Sequence, residues 1–224
     1  MAKPSGKKHK NKDSVLVICA HADDHIFGPG GTIAKYAREG KSIHTIIFTY
    51  GELSHPMHLT EGIIKARVKE AQDVDKFIGG SGVLFLGLEE NNVLEQFKTK
   101  KMYPKLKKLI SEYNPSRIFT HALDDPHPVH RAVHKCVIET LDKMKNNSEV
   151  YMFDVWTLFN FKQRNYVRIV VDISSTFNIK IKALKMFESQ GVTLFWILWS
   201  IYYRAWLGGR SIGVNFAEVF YKIR

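Results

Sequence analysis

The sequence predicts an α/β fold, a mostly parallel Rossmann-like sheet flanked by helices. Three observations predict it. Val15–Ala20 is a continuous apolar, β-type run, as a strand buried on both faces should be. Short runs of this kind alternate with longer helical patterns over the first 145 residues. Two of the runs end in clusters of histidine and aspartate, where a parallel sheet carries its chemistry.

The elements follow in order. Gly28-Pro29-Gly30-Gly31 breaks the chain after the first strand, and Thr32–Glu39 reads as a helix closed by Gly40. His44–Thr49 is the second strand. Leu59–Phe77 is a long helix stopped by Gly79-Gly80, and Val83–Leu86 is the third strand. Met102–Glu112 is a helix ended by Asn114-Pro115, Arg117–Thr120 the fourth strand, and Pro128–Lys145 a helix with proline at its first position. Val150–Trp156, Val167–Ile173 and Val214–Ile223 read as further strands, with a helix between Ser175 and Gln190. No repeat or internal boundary is visible, so the expected organisation is a disordered basic tail over 1–13 and one domain over 14–224.

Composition narrows the function classes. The net charge is +11, of which five lysines in the first 12 residues carry part, leaving +6 for the rest. A second run is Lys98, Lys100, Lys101, Lys105, Lys107 and Lys108. No aromatic residues interleave with these lysines as a stacking platform for bases would require, so nucleic acid is not the expected partner. Cys19 and Cys136 are isolated and sit in apolar surroundings, which favours a reducing compartment. The basic N-terminus has no apolar core of a signal sequence, and a cytoplasmic location is the expectation. Val192–Leu207 is the longest apolar stretch. It contains Ser200 and Arg204 and is shorter than the ~20 residues of a spanning helix. It reads as a buried helix, an oligomer contact or an interfacial segment, with burial in a core or subunit contact preferred; if amphipathic and exposed, its aromatic part, Phe195–Tyr203, suits peripheral membrane contact.

The chemistry lies in two segments. Ala20-His21-Ala22-Asp23-Asp24-His25 follows the first strand, and His121, Asp124, Asp125, His127, His130 and His134 follow the fourth. In the common doubly wound order these strands are neighbours at the point where strand order reverses, so the topology brings both clusters together. Histidine nitrogen with carboxylate oxygen and few ligands is the pattern of catalytic zinc. The reading is a divalent ion held by His21, Asp24 and a histidine from His127–His134. Gly28-x-Gly30-Gly31 lacks the full dinucleotide fingerprint and the phosphate-loop lysine, and reads as close strand–helix packing.

At these residues the sequence resembles the LmbE-like family of zinc-dependent de-N-acetylases, which includes N-acetylglucosaminyl-phosphatidylinositol (PIG-L) and diacetylchitobiose deacetylases. Its opening box is matched by Ala20–His25 with Gly30-Gly31-Thr32, a Thr-x-Gly-Glu stretch by Thr49–Glu52, and an Arg-x-x-Glu helix by Arg67 and Glu70. His127-Pro128-Val129-His130-Arg131-Ala132 matches its histidine box, and Ser189-Gln190 and Phe216–Phe220 resemble later features. The resemblance implies His21, Asp24 and His130 as metal ligands, Asp23 as general base and His127 as the residue that polarises the intermediate and protonates the leaving amine. It implies Arg67 and Glu90 as sugar contacts, Zn2+ as cofactor (with other divalent transition metals admitted by the ligand set) and an N-acetylglucosamine-containing sugar, glycoconjugate or glycolipid as substrate. A homo-oligomer is expected.

Three positions depart from the pattern: Ala22 for proline, His25 for glutamate and Val129 for the aspartate between the two histidines. His25 is expected to alter hydrogen bonding around the site or to add a metal contact. Valine cannot orient or charge His127, and Asp124 or Asp125 are the candidates to replace the missing carboxylate. His134, one helical turn beyond His130, is a rival third ligand. A metal-dependent amidase acting on a non-sugar conjugate, or a metal-binding member with weakened catalysis, are the alternatives.

Overall fold

The computed structural model describes residues 13–51, 61–156, 164–188 and 191–224, with side chains in the last stretch from 198 onward. Its strands are β1 (Ser14–Cys19), β2 (Ser42–Ile47), β3 (Gly82–Phe85), β4 (Arg117–His121), β5 (Glu149–Phe153), β6 (Val167–Asp172) and β7 (Ala217–Lys222). They form one sheet in the order β3-β2-β1-β4-β5-β7-β6. The pairs from β3 to β5 are parallel, whereas β7 runs antiparallel to both β5 and β6. This is the mostly parallel α/β sheet that the sequence predicts, with one reversed strand near its edge.

Every residue of β1 is buried, and its two faces feed two cores. Val15, Val17 and Cys19 point into the layer of α1 (Asp24–Phe27), α2 (Gly30–Arg38), α3 (Glu61–Ile78), α7 (Phe177–Leu184) and α8 (Gly191–Arg210). Leu16, Ile18 and Ala20 point into the layer of α4 (Val93–Thr99), α5 (Met102–Tyr113) and α6 (Pro128–Asp142). A strand buried on both sides has no polar face to show, which is why its sequence does not alternate.

Several expected boundaries move. The second strand lies two residues earlier than expected, so Thr49–Gly51 becomes a loop beyond its end. The short helices α1 and α4 are additions; four and seven residues are too few to show a helical period. The Val192–Leu207 stretch lies in one 20-residue helix, α8, and among the described residues no helix is long and apolar enough to cross a membrane. The first twelve residues, Glu52, His55, His58, Ser189, Gln190 and the side chains of Phe195–Ile197 lie outside what the structure describes. Both cysteines are buried and free.

Candidate metal centre

The site forms where β1 and β4 lie side by side and their chains leave the sheet. The backbone N–H of Ala20 donates to His121 Nε2 at 2.9 Å, joining the two strand ends. Beyond β1 the chain turns directly into α1, with Asp23 at its N-cap position and Asp24 in its first turn. Beyond β4, His127 caps α6 and Pro128 occupies that helix's start, which puts His130 one turn in.

His21, Asp24 and His130 converge. Their donor atoms lie within 4.8 Å of one another. His21 Nδ1 is 3.3 Å from His130 Nε2, and the Asp24 carboxylate spans the two rings, with Oδ2 3.3 Å from His21 Nδ1 and Oδ1 3.4 Å from His130 Nε2. Ligands about 2.0–2.1 Å from a tetrahedral ion stand roughly 3.3–3.4 Å apart, so this donor set fits a zinc-type ion. Asp24 is also fixed by accepting the His21 backbone N–H at 2.7 Å.

The outer nitrogens of both imidazoles are tied to carboxylates. His21 Nε2 meets Glu90 Oε1, and His130 Nδ1 lies 3.0 Å from Asp125 Oδ1. A carboxylate behind a ligating histidine fixes its tautomer and orientation and raises its basicity. Glu90 sits on a 3-10 turn just before α4. Asp125 also accepts the His127 backbone N–H at 2.9 Å. A second group with metal spacing, His121, Asp125 and His130, shares one member with the first. The first group is the set the sequence predicts and is the candidate centre.

Electrostatics separate the roles. Burial, together with the neighbouring Asp24 carboxylate, pushes Asp23 up to about 7. Burial also opposes charge on Asp24, but His130, His121 and His21 outweigh it and hold that carboxyl well below its ordinary range. Burial and His121 hold His130 down to about 4, in the neutral form that ligates metals. His21 is different: burial works against its charge, yet Asp24 and Glu90 raise it to about 10.

His127 is half-buried with its ring 5.3 Å from that of His21 and 4.7 Å from that of His130. Burial, His130 and His21 all lower its pKa. Neither expected replacement for a carboxylate at Val129 reaches its ring. Asp124 is drawn off by Arg164, and Asp125 is committed to His130 and to the His127 backbone. His127 Nδ1 is buried without a hydrogen-bond partner among the described residues, and Val129 packs into the α6-side core.

The remaining expected positions fall as follows. His25 is buried edge-on to Phe187 at 6.4 Å and joins neither metal group, so the expected metal contact is not formed. His134 Nδ1 lies 2.8 Å from the His121 carbonyl and holds the end of β4; it is no rival ligand. Arg67 is buried, donating to the carbonyls of Tyr50 (2.6 Å) and Gly51, and so shapes the loop after β2. A Cβ on Gly28 would stand 2.2 Å from Phe153 and one on Gly31 2.7 Å from Ile173, so those glycines serve close packing. No sequence pattern marks Trp156 as a site residue. It is 42 % exposed, with its ring 6.5 Å from His127, and only folding past the end of β5 brings it there.

Comparison with known proteins bears on family and fold. The family model described as GlcNAc-PI de-N-acetylase (PIG-L) matches residues 16–141. A probable N-acetyl-alpha-D-glucosaminyl L-malate deacetylase of Bacillus cereus is 28 % identical over 186 residues, covering 79 % of this chain and 83 % of that protein. The solved N,N'-diacetylchitobiose deacetylase of Pyrococcus horikoshii superposes with a TM-score of 0.75 at 23 % identity, covering 96 % of this chain and 85 % of that one. The 4-carboxy-2-hydroxymuconate hydratase of Pseudomonas putida shares the fold equally well, with a TM-score of 0.78, 21 % identity and coverage of 95 % and 96 %.

Proposed function

The chain belongs to the PIG-L (GlcNAc-PI de-N-acetylase) family, and on that premise we propose that it is a zinc-dependent hydrolase that removes the N-acetyl group from an N-acetylglucosamine-containing sugar, glycoconjugate or glycolipid. One observation carries the reading: the donor atoms of two histidines and an aspartate converge within 4.8 Å beside a second buried carboxylate, Asp23, which burial and Asp24 push up to about 7.

In this reading His21, Asp24 and His130 hold the ion. When bound, it makes a nucleophile of water at neutral pH and polarises the acetyl carbonyl. Asp23 takes the proton from the attacking water; a base with a pKa near the working pH does this best. The water oxygen bonds to the acetyl carbon, the C–N bond breaks, and the amine leaves with a proton delivered through His127. A donor is needed because an unprotonated amine is a poor leaving group. His127 lacks a carboxylate behind it, so turnover is expected to be limited at this step. The sugar side expected of Arg67 and Glu90 is reached through what they hold, since Arg67 fixes the Tyr50–Gly51 loop and Glu90 orients His21, and the exposed face of Trp156 is a platform on which an apolar sugar face can stack.

The shared fold of a hydratase favours a second reading, in which the same base and ion add water across a carbon–carbon double bond. The test is acetate release by zinc-loaded protein from free N-acetylglucosamine, diacetylchitobiose, a malate glycoside and a lipid-linked N-acetylglucosamine. Asp23→Ala and chelated protein are the controls. Release from at least one sugar, lost in both controls, supports the deacetylase. No release from any sugar while the ion stays bound overturns it in favour of a hydratase, a non-sugar amidase or a member weakened at Val129.

A further inference from the structure

The two sides of α8 differ sharply. Ser200, Ile201 and Ala205 are buried on the side packed toward β7 and the sheet. Trp199, Tyr202, Tyr203, Trp206 and Leu207 are 37–52 % exposed. Their spacing of three and four residues places them on one helical face. Ile212, in the turn that follows, is also exposed, and Arg168 of β6 donates to Ser211 Oγ at 3.0 Å, bringing the exposed start of β6 alongside. The Arg210 guanidinium lies 5.5 Å from the Trp206 ring, so cations rim the aromatic face. No aspartate or glutamate occurs between Glu188 and Glu218.

We propose that this face seats the protein on an anionic lipid surface. Tryptophan and tyrosine carry an apolar body with a polar handle, which suits the boundary between headgroups and acyl chains. Arginines at the rim of an apolar helical face meet acidic headgroups. A second copy is the poorer occupant on charge grounds: it brings the same arginines and the same +11 net charge to the contact and no acid in this segment to answer them. The face also leads inward. A cavity of about 380 Å3 lies between α8 and the sheet, with Tyr203 and Leu207 on its exposed side and Phe27, Phe153 and Phe220 within. Its walls also carry Asp154, Arg168, Lys180, Arg204 and Glu218, so it is a mixed cavity and the docking rests on the outer face of α8. Arg204 donates to the Asp154 carbonyl at 3.0 Å, tying α8 to the segment that carries Trp156 beside the metal centre. Docking through α8 therefore holds that centre near the lipid surface.

The test is co-sedimentation of the full-length protein with phosphatidylcholine vesicles containing phosphatidylglycerol, and with phosphatidylcholine alone, at 0.1 M and 0.5 M NaCl, followed also by tryptophan emission. The wild type should bind the anionic vesicles with a blue shift and retain part of that binding at high salt, where purely electrostatic attachment is screened. Trp199→Ser/Trp206→Ser should lower partitioning roughly tenfold or more, and Arg168→Gln/Arg210→Gln should lower it mainly at 0.1 M NaCl. Should the tryptophan variant fail to fold, Tyr202→Ser/Leu207→Ser tests the same face. Equal binding by wild type and a folded face variant, binding abolished by salt alone, or no binding overturns the proposal. So does self-association that the face variants abolish without any vesicle binding, which would assign the face to a second copy.

Discussion

Two buried charged clusters flank the short segment from Asp23 to Thr32, and they are built on opposite principles. On one side, Lys180 donates to the carbonyls of Phe27 (2.9 Å) and Gly28 (2.8 Å) and to Glu218 at 2.6 Å, while Glu218 accepts the N–H groups of Gly31 and Thr32 at 2.8 Å each. Each charge meets its complement, and the cluster locks the start of α2 to β7. On the other side, His21 and His130 turn nitrogens toward each other and toward one Asp24 carboxylate, with their outer nitrogens already held by Glu90 and Asp125. Inward-facing donors at 3.3–3.4 Å leave a role for a cation that the protein itself does not supply. A closed cluster is structural; a convergent one with its outer positions fixed is a candidate ligand set.

Substitutions can break or sharpen that contrast. The largest effect is expected for Asp24→Ala, which removes the carboxylate shared by both imidazoles. Acetate release should fall by at least about three orders of magnitude with loss of the ion, read by turnover together with metal content. Asp23→Asn should keep the ion and lower turnover roughly 10^2–10^4-fold; ion loss in that variant would show Asp23 to be a ligand. On the structural side, Glu218→Ala leaves a buried lysine unpaired and should cost about 3–5 kcal/mol in urea unfolding, with the metal affinity of the folded fraction unchanged.

Smaller effects probe the supports. Glu90→Gln should weaken zinc binding roughly 10–100-fold, measured by competition with a chelating dye; a change confined to KM for the sugar would assign Glu90 to substrate alone. Asp75, far from both clusters in α3, supplies a pH test of burial by itself. Burial raises its pKa from 3.8 to about 6 in the folded chain. The folded state therefore holds the proton more tightly than the unfolded state, so this group's contribution to stability is full below about 4. It is lost as the pH rises to about 6, and the deficit is constant above that. Asp75→Asn should be more stable than wild type by roughly 1–2 kcal/mol at pH 7.5. The gain should vanish near pH 4, as followed by thermal melts across that range.

Much of this was legible in the chain, for identifiable reasons. The strands from β1 to β5 stand out because each is a short run rich in β-branched and aromatic residues, and β1, buried on both faces, has no polar alternation at all. The juxtaposition of Asp24 with His130 follows from strand order, since β1 and β4 are neighbours in the doubly wound sheet. What was hidden depends on pairs distant in sequence and on short elements. Glu90 reaches His21 across 69 positions, and Glu218 reaches Gly31 across 187. No local pattern announces either contact. The helix α1 is a single turn, too short for a period, yet it places Asp23 at its N-cap and Asp24 in its first turn. The reversed direction of β7 likewise has no local sign, because an antiparallel strand buried beside a parallel one is equally apolar.

The central claim, one ion held by His21, Asp24 and His130, is tested most directly by calorimetric titration of zinc into chelator-stripped, full-length protein, wild type beside Asp24→Ala. The account predicts one ion per chain for the wild type and binding weakened beyond detection in the variant, with both proteins folded. Equal binding by the two, or no binding by the wild type, would contradict it.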